Sequence, residues 1–239
     1  PFLAQAVDRT FTLGSNEWAI AGRHTATGKP IVANDPHLSL DSPSTFYPVA
    51  LRGGGLDVQG EGFAGTPFVI LGQNKHIAWG ATTNPMDVTD TYIEQVRPDP
   101  TSPSGLSTVY EGTLEHIVPI PETFRLNARV PGATDTVVPA PDGSGVPAQT
   151  LIVPRRNNGP IVSFDASAGT ALSVQYAGFS ATRELDTFRL FDLAKNLDDF
   201  REALTFFDVG SQNWAYADMR GNIAYFTSAE MPLREDLEA

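Results

Sequence analysis

Glycine and proline punctuate this chain so often that little room is left for long helices, and that spacing constrains the fold more than any other feature. Gly 21 and Pro 19 in 239 residues come to about 17%, against an average nearer 12%. Proline lacks the amide that a helix interior needs, and glycine loses the most conformational freedom on being ordered. Between the breaks lie short apolar or alternating runs: EWAIAG, KPIVAN, TFYPVAL, PFVILG, HIAWGAT, TYIEQV, TFRLNARV, ALSVQYAG, NWAYAD and NIAYFT. Their Val, Ile, Tyr, Phe and Trp content suits half-buried pleated surfaces, so the pattern predicts a strand-rich domain. LRGGGLD reads as a tight turn between TFYPVAL and LDVQG, because glycine takes positive φ at little steric cost.

One stretch departs from the pattern. ATRELDTFRLFDLAKNLDDFREALTFF places Leu185, Phe188, Leu193, Leu197, Phe200 and Leu204 at helical spacing. Asn196 interrupts it, and Asp198 and Asp199 follow where the first turn of a second helix would favour negative charge. The spacing predicts two short helices joined near Asn196 and packed on the sheet by their apolar faces. RPDPTSPSGLST and PGATDTVVPAPDGSGVP read as surface loops. At this length one large domain is expected.

Charge and composition narrow the function. Sixteen Lys and Arg against 28 Asp and Glu leave a net charge of −12, which argues against a nucleic-acid partner, since phosphate binding needs a basic face. Apolar residues at 41% exclude a disordered chain. No window approaches the roughly 18 consecutive apolar residues of a membrane-spanning helix, so no membrane partner is expected. The opening PFLAQAVDRTF lacks the pattern of a signal peptide, and a targeting segment would lie upstream of it. With no cysteine, disulfides, thiolate nucleophiles and Cys-ligated metals drop out.

Four histidines remain, His24, His37, His76 and His116, and no pair has the HExxH spacing of a zinc helix. Phosphate-binding loops of the GxxxxGK[ST] or GxGxxG kind are absent too. In the run Asp87-Val88-Thr89-Asp90, the oxygens of Asp87, Thr89 and Asp90 would suit a hard cation such as calcium, although such turn carboxylates are usually only solvated. Asp35-Pro36-His37 could serve a serine triad, but no GxSxG elbow accompanies it. A different route to an activated hydroxyl is a serine at a chain terminus whose own α-amine takes the proton. Gly14-Ser15-Asn16 is the place for it, since glycine before serine permits the backbone strain of an internal attack. By itself Gly-Ser is an ordinary turn.

The run GSNEWAIAGRHTATGKPIVANDPHLSLDSPSTFYPVAL and the following GFAGTPFVILGQNKHIAWGATTNPMDVTDTYIE supply the context. They combine Gly-Ser-Asn with a Trp two residues on, Gly-Lys-Pro, Asn-Asp-Pro-His, Gly-x-Pro, Gly-x-Asn, Ala-Trp-Gly-x-Thr and Asp-x-x-Asp-x-Tyr, in that order. GSQNWAYADMRGNIAYFTSAEMPLR adds Gln-Asn-x-x-Tyr-Ala-Asp, Gly-Asn-Ile and Pro-x-Arg. Together these resemble the penicillin acylase (penicillin amidase) family of N-terminal nucleophile hydrolases.

The resemblance implies an α+β fold, the αββα sandwich of N-terminal nucleophile hydrolases, here as a strand-rich part with few helices. It implies that residues 1–14 end a precursor linker and residues 15–239 begin a β-subunit, an incomplete nucleophile domain. Autocatalytic cleavage of Gly14–Ser15 would expose Ser15 as nucleophile. Thr83 through its N–H and Asn213 through its side-chain amide would stabilise the oxyanion. His37 would orient the serine or its water, and Arg234 would steer a substrate carboxylate or hold a loop. Asp87 and Asp90 match family calcium ligands, a structural role, since the chemistry requires no cofactor. Asn158 in RRNNGPIV stands where relatives carry histidine, which puts that residue's role in doubt here. The implied partners are an α-subunit, the remaining β-subunit segments and a small-molecule amide, either a β-lactam, an acyl-homoserine lactone or another. Export to the periplasm or beyond agrees with the resemblance. Competing readings are a triad hydrolase using His37 and a noncatalytic fragment that retains the fold.

Overall fold

A computed structural model describes residues 14–39, 42–128, 131–132, 136–140 and 149–234. The expected linker, residues 1–13, and most of the loop PGATDTVVPAPDGSGVP lie outside the described residues. The described residues pack as two compact units, one drawn from residues 1–87 with 181–239 and the other from residues 88–180.

The first unit is built on β1 (Asn16–Ile20), β2 (Ile31–Asp35), β3 (Phe46–Gly53), β4 (Leu56–Phe63), β5 (Leu71–Asn74), β6 (Ile77–Thr83), β16 (Gln212–Asp218) and β17 (Ile223–Ser228). The six-stranded sheet runs β17-β16-β6-β5-β4-β3, antiparallel throughout, and β1-β2 form a separate hairpin. The glycine turn falls as read: Gly54 (φ 57°) and Gly55 (φ 91°) close the β3–β4 hairpin with two consecutive left-handed residues. At the β5–β6 turn, Asn74 Oδ1 accepts from the N–H groups of His76 (2.8 Å) and Ile77 (3.0 Å).

Two helices, α1 (Glu184–Leu193) and α2 (Leu197–Leu204), cover one face of this sheet. Asn196 joins them as expected, its side chain accepting from Asp198 N–H (2.9 Å) and Asp199 N–H (3.0 Å) as an N-cap. Trp79 of β6 and Trp214 and Tyr216 of β16 meet Phe191 and Phe200 to form the core. The Phe191 and Phe200 rings stack at 4.1 Å, and Trp79 Nε1 donates to Ile70 O at 2.8 Å. The expected apolar face needs correction: it runs through Thr187, Phe188, Phe191 and Asp192, leaving Leu185 and Leu193 exposed. Among the described residues no helix is long and apolar enough to cross a membrane.

Asp192 sits in this core at 2% exposure, with Oδ2 accepting from Val69 N–H at 3.2 Å and Oδ1 unpartnered. Burial pushes its carboxyl up to about 7, against the pull of the Val69 N–H. The folded state thus retains a proton that the unfolded chain sheds at its ordinary carboxylate pKa. This group's contribution to stability is therefore full below the unfolded pKa and is lost as pH rises through about 7. The slope is about 1.4 kcal/mol per pH unit while the two states differ by one proton. Asp192→Asn keeps an acceptor for Val69 and removes the titration. Thermal unfolding at pH 5 and pH 8 is expected to show a clear drop in wild-type midpoint that the variant lacks, after the shared background is subtracted. Parallel shifts in the two proteins would rule the assignment out.

The second unit is built on β7 (Thr89–Pro98), β8 (Leu106–Tyr110), β9 (Thr113–His116), β10 (Val118–Pro121), β11 (Arg125–Asn127), β12 (Val137–Pro139), β13 (Gln149–Val153), β14 (Gly159–Asp165) and β15 (Thr170–Tyr176). They form a seven-stranded sheet in the order β10-β13-β14-β15-β7-β8-β9 and a two-stranded sheet, β11-β12. The segment read as the loop RPDPTSPSGLST is partly strand, with Ser107 and Thr108 fully buried in β8. Asp99 organises its turn by accepting from Ser107 Oγ (2.6 Å), Thr101 Oγ1 (2.6 Å) and Thr101 N–H (2.9 Å). RRNNG is structural here. Arg156 (2.8 Å) and Arg155 (3.3 Å) neutralise the buried Glu94, and Asn157 and Asn158 adopt left-handed φ of 54° and 59°, which asparagine tolerates.

Candidate active site

Ser15 immediately precedes β1, and the hairpin register pairs Asn16 with Asp35, which sets Ser15 opposite the Pro36–His37 corner. There the main-chain N–H of His37 donates to Ser15 Oγ at 3.3 Å. The His37 ring points elsewhere, with Nε2 2.9 Å from Asp35 Oδ2. A triad needs the imidazole on the serine hydroxyl. Among the described residues the ring makes no hydrogen bond to Ser15, which counts against His37 as the base. Gly14 leaves room for a Cβ, with nothing within 4 Å among the described residues.

The hairpin lies against the sheet face opposite the helices. Asn34 makes the tie: its Nδ2 donates to Asn16 O (3.0 Å) and Ala81 O (2.9 Å), and its Oδ1 accepts from Ala81 N–H (3.1 Å). Its side chain thus links the strand that follows Ser15 to β6. The asparagine of the Asn-Asp-Pro-His motif reaches 47 residues along the chain, a contact that no local signal could reveal. Nearby, Glu17 Oε2 accepts from Ala215 N–H at 3.0 Å, and burial raises its carboxyl above the ordinary range.

The end of β6 and the start of β16 meet beside the serine, with Thr83 opposite Gln212 and Thr82 opposite Asn213. Asn213 Nδ2 donates to Thr82 Oγ1 (3.0 Å) and, with a longer bond, to Thr83 O (3.3 Å). Its Oδ1 accepts from Tyr225 Oη at 2.6 Å. Ser15, Thr82, Thr83 and Gln212 share the lining of one pocket of roughly 300 Å³ with Phe46, Phe63, Ile70, Leu71, Phe188 and Trp214. No local pattern points to this apolar wall, because it is assembled from four strands and a helix far apart in the chain. Glu184 also lines the pocket, with Oε1 held by Val209 N–H at 2.8 Å.

Two other expected site residues meet each other. Arg234 donates to Asp87 O (3.1 Å) and lies 3.5 Å from Asp87 Oδ1. Of its two expected roles, this contact fits holding a loop. Thr89 and Asp90 enter β7. Among the described residues no group of three or more Asp, Glu or His gathers to hold a metal ion.

Comparison with known proteins fits this arrangement. An acyl-homoserine lactone acylase QuiP of Pseudomonas fluorescens is 26% identical over 232 residues, covering 95% of this chain and 26% of that protein. Penicillin G acylase of Escherichia coli is 25% identical over 234 residues, covering 92% of this chain and 24% of the relative. The chain thus spans about a quarter of the length of these curated relatives. Among solved structures, a thermostable penicillin G acylase from Alcaligenes faecalis superposes with a TM-score of 0.70 at 26% identity, covering 92% of this chain and 36% of that one. The N-terminal nucleophile hydrolase fold that the resemblance implied is the fold found. The family model for penicillin amidase matches residues 3–239, and the chain belongs to the penicillin amidase family.

Proposed function

We propose that this chain carries the nucleophile of an amide hydrolase, with Ser15 acting after cleavage of Gly14–Ser15. The observation that carries the reading is the placement of Ser15 on a pocket whose wall is apolar and whose rim holds Thr82 and Thr83, with the Asn213 amide anchored to both. The freed α-amine, with an ordinary pKa near 8, takes the proton as the Ser15 hydroxyl attacks the amide carbonyl. The Thr83 N–H and Asn213 Nδ2 receive the oxyanion. A charged acceptor outcompetes the long bond to Thr83 O, which frees one Asn213 hydrogen for it. The α-ammonium passes this proton to the scissile nitrogen as the C–N bond breaks and the substrate's amine leaves, and water then releases the acid from the Ser15 ester.

The pocket favours an apolar acyl group, as phenyl rings and branched aliphatic side chains line it. Acyl-homoserine lactones and β-lactams with apolar acyl chains both meet that requirement. Segments beyond this span, which the longer relatives possess, would complete the substrate pocket.

A sulfonyl fluoride tests the reading. Labelling at Ser15, read by peptide mass, is expected in protein whose first residue is Ser15 and not in protein with Gly14 still attached. Equal labelling and amide hydrolysis by the uncut form would mean that another group serves as base.

A further inference from the structure

We propose that Tyr225 is a positioning residue for the oxyanion hole: its hydroxyl orients and polarises the Asn213 amide. This rests on the reading of Asn213 as an oxyanion donor given above. Tyr225 lies on β17, and the register sets Asn213 opposite Thr227 and Ala215 opposite Tyr225. Tyr225 is thus the diagonal neighbour of Asn213 on the same sheet face, within reach for an aromatic side chain. The contact is short, 2.6 Å from Oη to Oδ1, and Tyr225 is outside the pocket lining.

An amide has a donor end and an acceptor end of almost equal size, so its shape alone does not decide which end faces the substrate. Three neighbours touch it here, and the hydroxyls of Thr82 and Tyr225 can each donate or accept. Thr83 O can only accept, which draws Nδ2 and leaves Oδ1 to receive the Tyr225 hydroxyl. The two act differently during turnover, because the oxyanion competes with Thr83 O for an Nδ2 hydrogen. When that bond gives way, the oxyanion itself calls for a donor, and the Tyr225 bond holds the Oδ1 end in place while Nδ2 turns to it. A hydroxyl donated to the carbonyl end also withdraws electron density from the amide and makes its N–H groups better donors. Phenylalanine keeps the ring and removes both effects. Tyr225 is 63% exposed, so the substitution carries little risk to folding.

The test compares Tyr225→Phe, Asn213→Ala, Ser15→Ala and the double variant Asn213→Ala/Tyr225→Phe in the complete, processed protein. The readouts are kcat and KM on a chromogenic anilide with an apolar acyl group, and the rate of sulfonylation at Ser15. Tyr225→Phe is expected to lower kcat by about tenfold or more and leave KM within about twofold, less than the 10²–10³-fold typical of deleting a donor. In the Asn213→Ala background the same change is expected to have no further effect. Wild-type kcat in Tyr225→Phe beside a large loss in Asn213→Ala would overturn the inference and leave the site reading intact. So would losses that simply multiply in the double variant. Full activity in both Ser15→Ala and Asn213→Ala would remove the site reading itself, and this inference with it.

Discussion

Ser15→Ala in a full-length precursor is expected to abolish the new terminus at Ser15 and to lower amide hydrolysis by on the order of 10⁴-fold or more. The substitution removes one oxygen, whose hydrogen-bond partner among the described residues is the His37 N–H at 3.3 Å. That bond is long and the position half-buried, so the folded state loses little, within about 0.5 kcal/mol. A large functional loss beside an unchanged melting curve would therefore be chemical. Intact mass and N-terminal sequencing read the first effect, and an acyl-anilide assay reads the second. The pH profile of the processed wild type gives an independent check. A base that is an α-amine must be unprotonated, so activity is expected to rise with pH and level off above about 8. A plateau reached near pH 6.5 would indicate an imidazole instead. Retained processing and hydrolysis in Ser15→Ala would end the proposal.

The sequence made some of this site legible for reasons that are local. The Asn196 cap, the Gly54–Gly55 turn and the strand of Trp79 each depend on residues within a few positions, where side-chain chemistry and backbone geometry are linked directly. Ser15 was legible through its motif alone, since Gly-Ser has no distinctive local physics. What stayed hidden depends on register. Tyr225 reaches Asn213 because the β16–β17 hairpin pairs as it does, and a slip of one residue would turn Tyr225 to the other face. Several strands of the second unit carry a weak signal for a related reason. In QTLIV and VPIP the exposed and buried positions do not alternate strictly, so period-two patterning is weak there. His37 and Arg234 were assigned through their ring and charge, yet His37 meets Ser15 with its backbone and Arg234 meets Asp87. Sequence motifs name residues, while the part of each residue that acts is fixed by packing.

Gly80→Ala is expected to cost both stability and activity, and the second more than the first. Gly80 lies in β6 between Trp79, which faces the helices, and the hairpin on the other side. A Cβ there would stand 2.7 Å from Asn34 Cβ, 2.8 Å from its Cγ and 3.0 Å from its Oδ1. Its φ is outside the left-handed region, so glycine is needed for space and not for conformation. Relief requires Asn34 to move away from β6, and Asn34 holds the bonds to Asn16 O and to both main-chain groups of Ala81. Overpacking of this kind costs about 1–3 kcal/mol, a fall of several degrees in melting temperature for a chain of this size. The geometric consequence is larger. Asn34 fixes the distance between the strand that follows Ser15 and the strand that ends at Thr83, and a displacement near 1 Å at a reacting centre costs about 10²-fold in rate. The double variant Gly80→Ala/Asn34→Gly separates the two effects, because it makes room for the methyl without restoring the tie. Its melting temperature is expected to recover part of the loss while processing and hydrolysis stay impaired. Wild-type turnover in Gly80→Ala would show instead that the hairpin holds Ser15 in place without Asn34.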